Sequence, residues 1–271
     1  MSTLFRAKTQ EGFTFKALSE FLQYNIKTAC FKIDNSGISL CMMDTQCKIL
    51  IDSKLHSNKF SIYKYTSEEP LFVGLTLSHF YKMLKSLKKK DALMLFIKKD
   101  NPSVLYIQNI PKDNNRRTVS TIKIQTIQNL DIELPTGYGQ PIIVNSSEYP
   151  KMCKEINIGT IINVISQRYF IKFKCNADGI FATETSLGDF SNNDDDSDEE
   201  YEEEYEEFSE EFNIDQLTRI VKISKLGTVL QIYHKKNLPI KFTTNVGTIG
   251  EISVYIKSIN QIDSDNRIDT E

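Results

Sequence analysis

The sequence LTLSHFYKMLKSLKKKDALMLFI, from Leu75 to Ile97, decides the fold that we predict. Its first half has apolar side chains at i, i+3, i+4, i+7 and i+10, which is the spacing of one face of an amphipathic helix. These residues are Leu77, Phe80, Tyr81, Leu84 and Leu87. Lys82 and Lys85 are three apart and share another face. The apolar run at the end of the sequence predicts a strand that follows the helix.

The core of this helix recurs along the chain. FYKMLK at Phe80–Lys85 returns as YPKMCK at Tyr149–Lys154 and as LTRIVK at Leu217–Lys222, with TFKALS at Thr14–Ser19 as a weaker copy. The corresponding basic residues, at intervals of 66, 69 and 71, are Lys16, Lys82, Lys151 and Lys222. A fixed period indicates duplicated architecture. We predict four units, each a helix with about four strands, paired into two domains whose sheets are covered on one face by helices.

Breaks in this pattern set the predicted boundaries. Residues 127–139 have mixed polarity with one proline and two glycines, which favours an interdomain connector. The fourth helix is expected from about Asp215 to Leu226. The predicted parts are an N-terminal domain at 1–126, the connector at 127–139, a C-terminal domain at 140–262 with an acidic insertion at 189–211, and a frayed polar tail at 263–271.

The charge distribution suggests an anionic partner. The net charge is −3, but residues 189–211 hold five Asp and nine Glu without any Lys or Arg. The rest of the chain has 33 basic and 22 acidic residues, so it is strongly cationic. We expect the acidic run to be an outer, disordered loop that either repels stray anionic ligands or is inert.

Motifs for common catalytic chemistry are absent from the sequence. There is no GxxxxGK[ST], HExxH or GxSxG, and the three histidines are far apart. The five cysteines form no CxxC pair. We therefore expect no catalytic activity, metal site or cofactor, and reduced thiols in an intracellular protein. No apolar stretch has the length of a membrane-spanning helix, so a membrane partner is not expected.

Four sequences in order resemble the proliferating cell nuclear antigen family of DNA sliding clamps. SGISLCMMDTQCKIL at Ser36–Leu50 resembles the family's SG(V/I)xLxxMDxxH segment, with Gln46-Cys47 where Ser-His is common. FVGLTLSHFYKMLK resembles its second helix, and SSEYPKMCKEI at Ser146–Ile156 resembles its third. PIKFTTNVGTIGEISVYI resembles its closing strands. The resemblance covers residues 1 to 260 and implies an α+β clamp fold of two similar domains, each with two βαβββ units.

The resemblance also implies a closed ring of three subunits, with helices inside and sheets outside. Duplex DNA would pass through the ring, and its phosphates would face Lys16, Lys82, Lys85, Lys151, Lys154, Arg219 and Lys222. Edge strands of neighbouring subunits would pair through Thr118, Ser120, Ile122, Ile124, Ile180, Ala182 and Glu184. Partner peptides would dock at Met43, Ile132, Leu134, Pro239 and Tyr255.

The resemblance therefore implies a homotrimeric processivity factor that binds double-stranded DNA, a DNA polymerase, a clamp loader and short-motif proteins of replication and repair. It would act in the nucleus, or at the site of replication in the host cell if the chain is viral. Three alternatives stay open. They are a subunit of a checkpoint-type heterotrimeric clamp, a viral monomeric or dimeric processivity factor, and an acidic histone-binding scaffold.

Overall fold

A computed structural model of the chain describes residues 2–113, 115–128, 130–177, 179–190 and 208–268. The chain divides into two compact units. The first comprises residues 1–133, 225–227 and 245–253, and the second comprises residues 134–224, 228–244 and 254–271. The two-domain α+β clamp fold predicted from the sequence is confirmed by the comparisons reported below.

The described residues of the first unit form nine strands and two α-helices in the first half of the chain. In order they are β1 (Thr3–Thr9), α1 (Gly12–Asn25), β2 (Thr28–Ile33), β3 (Gly37–Met43), β4 (Ile49–His56), β5 (Ile62–Tyr65), β6 (Leu71–Thr76), α2 (Leu77–Leu84), β7 (Ala92–Lys98), β8 (Asn101–Ile110) and β9 (Thr118–Lys123). One sheet has the order β5-β1-β7-β8-β9, and β6-β2-β3-β4 are consecutive neighbours in another. These neighbouring strands pair in the antiparallel sense.

The two helices of the first unit pack on its sheets through aromatic side chains. Phe80 of α2 meets Phe15 of α1 edge to face and Phe31 of β2 at a tilt, each with ring centroids 6.3 Å apart. Phe5 and Ala7 of β1 are buried while Arg6 between them is only half-buried, which is the alternation of a strand with one covered face. Of the predicted apolar face, Leu77, Phe80 and Leu84 are buried within α2. Tyr81 is half-buried, and the buried Leu87 follows the end of the helix.

A strand from near the end of the chain also belongs partly to the first unit. This strand, β17 (Gly250–Ile256), lies next to β4. His56 N donates to Ile249 O at 2.9 Å, and Ser53 Oγ donates to Glu251 O at 3.3 Å, so the two strands run antiparallel. A side chain at Gly250 would place its Cβ 2.0 Å from Lys54 O, so this close approach requires glycine.

The second unit repeats the same plan. Its elements are β10 (Ile142–Asn145), α3 (Glu148–Glu155), β11 (Ile161–Ser166), β12 (Phe170–Ala177), β13 (Phe181–Gly188), β14 (Phe208–Asn213), α4 (Ile214–Arg219), a 3-10 turn (Val221–Lys225), β15 (Val229–Tyr233), β16 (Ile240–Val246), the end of β17, and α5 (Ile259–Ile268). One sheet has the order β13-β12-β11-β14, and β10-β15-β16-β17 are neighbours in the other.

Tyr149 is the centre of the second unit's core. It is fully buried in α3, its ring lies edge to face on Phe242 of β16 at 5.4 Å, and its hydroxyl donates to Leu217 O of α4 at 2.9 Å. Burial raises the pKa of this phenol far above its usual value, so the hydroxyl keeps the proton that it donates. The hydrogen bond therefore ties α3 to α4.

The predicted fourth helix is wrong in its extent. The chain leaves the α-helix after Arg219 and continues as the 3-10 turn. Thr218 Oγ1 donates to Ile214 O, and Ser224 Oγ donates to Val221 O, and such local bonds compete with helical backbone bonds. The β-branched residues of this segment add to the effect.

Two predictions of disorder are also wrong where the structure describes the residues. The end of the acidic run forms β14, in which Phe208 and Phe212 are buried on one face. The polar tail from residue 263 belongs to α5 up to Ile268, and Ser258 and Gln261 cap that helix through reciprocal side-chain bonds to backbone N–H groups. The middle of the acidic run, residues 191–207, lies outside the described residues, and so do residues 269–271.

Candidate functional site

The helices α2 and α3 present matching basic faces. Lys82 and Lys85 are exposed at the end of α2, and Lys151 and Lys154 are exposed in the corresponding part of α3. Lys151 Nζ lies 2.8 Å from Glu148 Oε1, and this hydrogen bond lowers the pKa of the glutamate. Exposed ion pairs of this kind are weak, so an anionic ligand can compete for the lysine.

Lys16 has a different position from the other predicted DNA contacts. It is half-buried in α1, and its Nζ donates to Lys85 O at 2.8 Å and to Leu87 O at 3.1 Å. These carbonyls follow the last turn of α2, where backbone acceptors lack helical partners and positive charge is favourable. In this structure Lys16 therefore caps α2 with the ammonium group that was predicted to meet phosphate.

Arg219 and Lys222 are less exposed than the lysines of α2 and α3. Arg219 ends α4 and Lys222 lies in the 3-10 turn, and both are half-buried with interactions inside the protein. Their role as phosphate contacts stays a prediction.

The predicted interface residues lie on the terminal strands of two sheets. In β9, Ile122 is buried, Ser120 and the following Ile124 are half-buried, and Thr118 is exposed. Before and within β13, Ile180, Ala182 and Glu184 are exposed, with Ile180 84% accessible. Sequence reasoning missed two exposed apolar side chains beside them, Val119 and Phe181. Exposed strand edges with apolar side chains are surfaces to which another strand can add.

The start of the connector packs closely against β6 of the first unit. Gln125 N donates to Gly74 O at 2.9 Å, and a Cβ at Gly74 would lie 2.2 Å from Gln125 O and 2.8 Å from Ile127 Cγ1. Glycine in β6 is thus required for the connector to lie this near. Met43 and Ile132, two predicted peptide-pocket residues of this unit, are half-buried.

The end of the connector forms an aromatic cluster in the second unit. Tyr138 donates its hydroxyl to Pro239 O at 2.7 Å, and its ring lies 6.1 Å from Tyr233 and 6.3 Å from Tyr255. Lys241 Nζ lies 4.8 to 5.7 Å from the three ring centroids. The structure thus brings the predicted residues Pro239 and Tyr255 near one connector side chain, while Leu134 is half-buried.

Sequence reasoning did not find Tyr138, Tyr233 or Lys241 in this cluster. The available signal was the alternation of polar and apolar residues in β15 and β16, which places Tyr233 and Lys241 as cross-strand partners. Burial raises the pKa of Tyr138 above its usual value, so its hydroxyl stays a hydrogen-bond donor.

The described residues contain no group of three or more His, Cys, Asp or Glu side chains arranged to hold a metal ion. Within the same residues, no helix combines the length and the apolar character that crossing a membrane demands. Burial raises the pKa of the Cys153 thiol to about 12 and that of Cys41 to about 11. These two cysteines are therefore neutral thiols near pH 7.

Comparison with known proteins finds a matching family for each of the two units. Residues 4–133 match the N-terminal domain of proliferating cell nuclear antigen, and residues 135–264 match its C-terminal domain. A probable DNA polymerase sliding clamp of Paramecium bursaria Chlorella virus 1 is 26% identical over 262 residues, covering 95% of this chain and 98% of the relative. A probable DNA polymerase sliding clamp of Autographa californica nuclear polyhedrosis virus is 22% identical over 255 residues, covering 93% of this chain and 95% of the relative.

The fold has a solved counterpart. The crystal structure of proliferating cellular nuclear antigen from Entamoeba histolytica superposes with a TM-score of 0.80 at 19% identity, covering 94% of this chain and 99% of that one. The duplicated units and these matches together define the class as a DNA sliding clamp. The chain belongs to the proliferating cell nuclear antigen family, whose members are processivity factors for DNA polymerases rather than enzymes.

Proposed function

We propose that three copies of this chain close head to tail into a ring that encircles duplex DNA. The observation that carries the proposal is the pair of matching basic faces, Lys82 with Lys85 on α2 and Lys151 with Lys154 on α3. The same exposed pair at the same place in duplicated units is expected if both helices face one repeating anion. The phosphate backbone of a duplex is such an anion.

The proposed ring holds DNA by enclosure and contacts it weakly. Lysine ammonium groups on flexible stems bind phosphate without selecting a sequence, and each contact is salt-dependent because it releases counterions. Since enclosure prevents dissociation, weak contacts suffice and the ring can slide. A DNA polymerase attached to the ring then stays near the primer end.

The terminal strands β9 and β13 are the proposed subunit interface. Their exposed edges, with Val119 on one and Ile180 and Phe181 at the other, favour addition of a strand from a neighbouring copy. Head-to-tail addition uses two different surfaces of each subunit. It forms a closed ring when the rotation that relates neighbouring subunits returns the last copy to the first.

Partners of the ring are proposed to dock by short peptide motifs at Met43, Ile132, Leu134, Pro239 and Tyr255. The support is the aromatic cluster around Tyr138, because it fixes the end of the connector beside Pro239 and Tyr255. A clamp loader, a DNA polymerase and repair proteins are the expected partners. The expected location is the nucleus, or the replication site of a host cell, since both relatives named above are viral.

Two measurements test the ring. Light scattering of the 31.2 kDa chain should give a mass near three subunits, whereas a monomer at micromolar concentration would contradict a ring of identical subunits and favour a monomeric processivity factor or a heterotrimer. A clamp loaded on nicked circular plasmid should be retained and should be lost when the plasmid is cut.

Charge reversal tests the basic faces. The variant Lys82→Glu/Lys85→Glu should lose most retention on the circle, because it replaces phosphate attraction with repulsion. The matched control is Lys59→Glu/Lys64→Glu, which reverses two exposed lysines elsewhere in the first unit. Equal retention by both variants would contradict the assignment of α2 to DNA.

A further inference from the structure

The five-stranded sheet of the first unit, with the order β5-β1-β7-β8-β9, has one apolar face and one basic face. Phe5 of β1 and Leu95 of β7 line an apolar cavity together with Phe80 of α2. Side chains alternate along a strand, so the next residues, Arg6 and Phe96, lie on the opposite face as cross-strand partners. The five described strands contain no Asp or Glu. The basic residues that share this basic sheet face are Arg6, Lys8, Lys64, Lys98 and Lys123.

A cleft at one end of the basic sheet face concentrates the positive charge. It has a volume of about 520 Å³, which is within the size range of ligand pockets. Among the described residues, no acid lines this cleft, and its basic residues are Arg6, Lys8, Lys90, Lys112 and Arg117. Of the acids next to these residues in sequence, Asp113 lies outside the lining, and the buried Asp91 accepts the backbone N–H of Lys88 at 3.0 Å. The surplus of positive charge predicts an anionic ligand.

Two aromatic rings lie on the same face beside the cleft. Phe96 of β7 and Tyr106 of β8 are half-buried cross-strand partners, and their rings stack with centroids 4.9 Å apart and planes inclined by 10°. Arg6 lines the cleft and is the cross-strand partner of Phe96 on the other side. Its Nε donates to Met94 Sδ at 3.1 Å, which holds the guanidinium group on this face. The positive charge of the cleft and the stacked rings therefore form one continuous surface.

Lys98 occupies a place on the Tyr106 ring that a nucleobase would fit. Its Nζ lies 4.6 Å from the centroid of that ring. A cation–π contact near the surface is weaker than the stacking of a base on an aromatic ring. A base that replaces the ammonium group is therefore favoured on the ring. The displaced ammonium group, on its flexible stem, then reaches a neighbouring phosphate.

We propose that the basic sheet face binds single-stranded DNA, with phosphates at the basic residues of the cleft and a base stacked on Tyr106. Duplex DNA keeps its bases stacked on one another, and an acidic peptide needs only the charges. A single strand uses both the charges and the aromatic rings. This ligand is available to a DNA sliding clamp, because a polymerase copies an unpaired template strand. The site goes beyond the proposed encirclement of duplex DNA and requires neither ring closure nor the basic faces of α2 and α3.

Fluorescence anisotropy of the full chain with a labelled oligothymidylate of about 15 nucleotides tests the site. The variant Phe96→Leu/Tyr106→Leu keeps apolar side chains but removes the aromatic faces. It should raise the dissociation constant for the oligonucleotide about tenfold, because a stacked base is lost. The matched control is Phe72→Leu, which removes an exposed aromatic ring opposite Lys32 on β6 and should leave the dissociation constant unchanged.

A second variant tests the cleft through exposed side chains alone, so that a folding defect of the leucine variant does not decide the result. Lys90→Gln/Lys112→Gln removes two exposed ammonium groups. It should reduce the magnitude of the slope of log affinity against log salt by about 1.4. Lys54→Gln/Lys59→Gln, which changes two exposed lysines elsewhere in the first unit, is the control. Photocross-linking of an oligonucleotide that contains 5-iodouracil should label Tyr106 or Phe96.

Three results would overturn the single-strand site. The first is that the unmodified chain does not bind the oligonucleotide, or that the leucine and glutamine variants both bind it as the unmodified chain does. The second is that Lys82→Glu/Lys85→Glu abolishes oligonucleotide binding while the leucine variant retains it, which would assign single strands to α2. The third is that polyglutamate displaces the oligonucleotide while the leucine variant binds DNA normally, which would assign the face to an acidic protein.

Discussion

Replacement of Lys16 by methionine distinguishes its capping role from its predicted role at DNA. Methionine keeps most of the apolar stem but removes the ammonium group, and with it the bonds of 2.8 and 3.1 Å to Lys85 O and Leu87 O. A buried hydrogen bond to a charged group contributes about 1.5–3 kcal/mol. Because Lys16 is only half-buried, we expect a total loss of about 1–2 kcal/mol in the free energy of unfolding.

This loss should be visible by thermal and denaturant unfolding at fixed protein concentration. For a chain of this size it corresponds to a fall of about 2–8 °C in Tm. The slope of DNA affinity against salt should change little, because Lys16 Nζ is occupied by backbone carbonyls. The matched variant Lys82→Met removes an exposed lysine of α2. It should leave Tm nearly unchanged and reduce the magnitude of the salt slope by up to about 2.7 in a ring of three.

The opposite pattern would refute the capping assignment. If Lys16→Met unfolds at the same temperature as the unmodified chain and lowers the salt slope as much as Lys82→Met, then its ammonium group leaves the end of α2 in solution and contacts phosphate. A fall in Tm with no change in the salt slope would remove Lys16 from the predicted DNA contacts.

Three further predictions concern single contacts. Gly74→Ala should accelerate hydrogen exchange at the amide of Gln125, because the new Cβ displaces that residue from β6; unchanged protection would contradict the contact. Tyr149→Phe should lower the free energy of unfolding by about 1–3 kcal/mol, since Leu217 O loses its buried donor, and an unchanged denaturation midpoint would argue against that bond. Burial lowers the pKa of His234 below its usual 6.5, so the unfolded chain takes up the proton first and stability should fall as the pH drops below 6.5. In His234→Gln this fall should be shallower between pH 6.5 and 5, and an identical pH profile would show that the imidazole does not contribute.

The core of the fold could be predicted because the sequences of α2 and α3 have apolar residues at helical spacing without reference to any other segment. Phe80 and Leu84 in one helix and Tyr149 and Met152 in the other recur at helical spacing, and all four are buried. Periodicity of this kind depends only on the chain itself. The repeated helix predicted the four units, and the family resemblance then added the βαβββ order of elements within each unit.

Other elements depend on neighbours that periodicity does not include. The high charge around Phe208 and Phe212 predicts disorder, yet β11 provides the partner strand with which they form β14. The polar residues after Ser258 and Gln261 predict a frayed end, whereas the reciprocal bonds of this capping pair begin α5.

For the candidate site residues, the sequence predicts corresponding positions in the repeat but not the exposure and contacts of each side chain. Lys16 and Lys82 occupy corresponding places in the repeat, but only the structure shows that the first is turned to two carbonyls while the second is exposed. A repeat is evidence that backbones correspond, and each side chain then responds to its own neighbours.

The pairing of β17 with β4 has a consequence for how a ring could open. Each chain contains one such antiparallel joint within its own covalent structure, so dilution cannot separate the two strands. In the proposed ring, only the β9–β13 joints would lie between different molecules. Half of the joints in the proposed ring would therefore be independent of concentration, and opening of the ring to admit DNA would be confined to the other half.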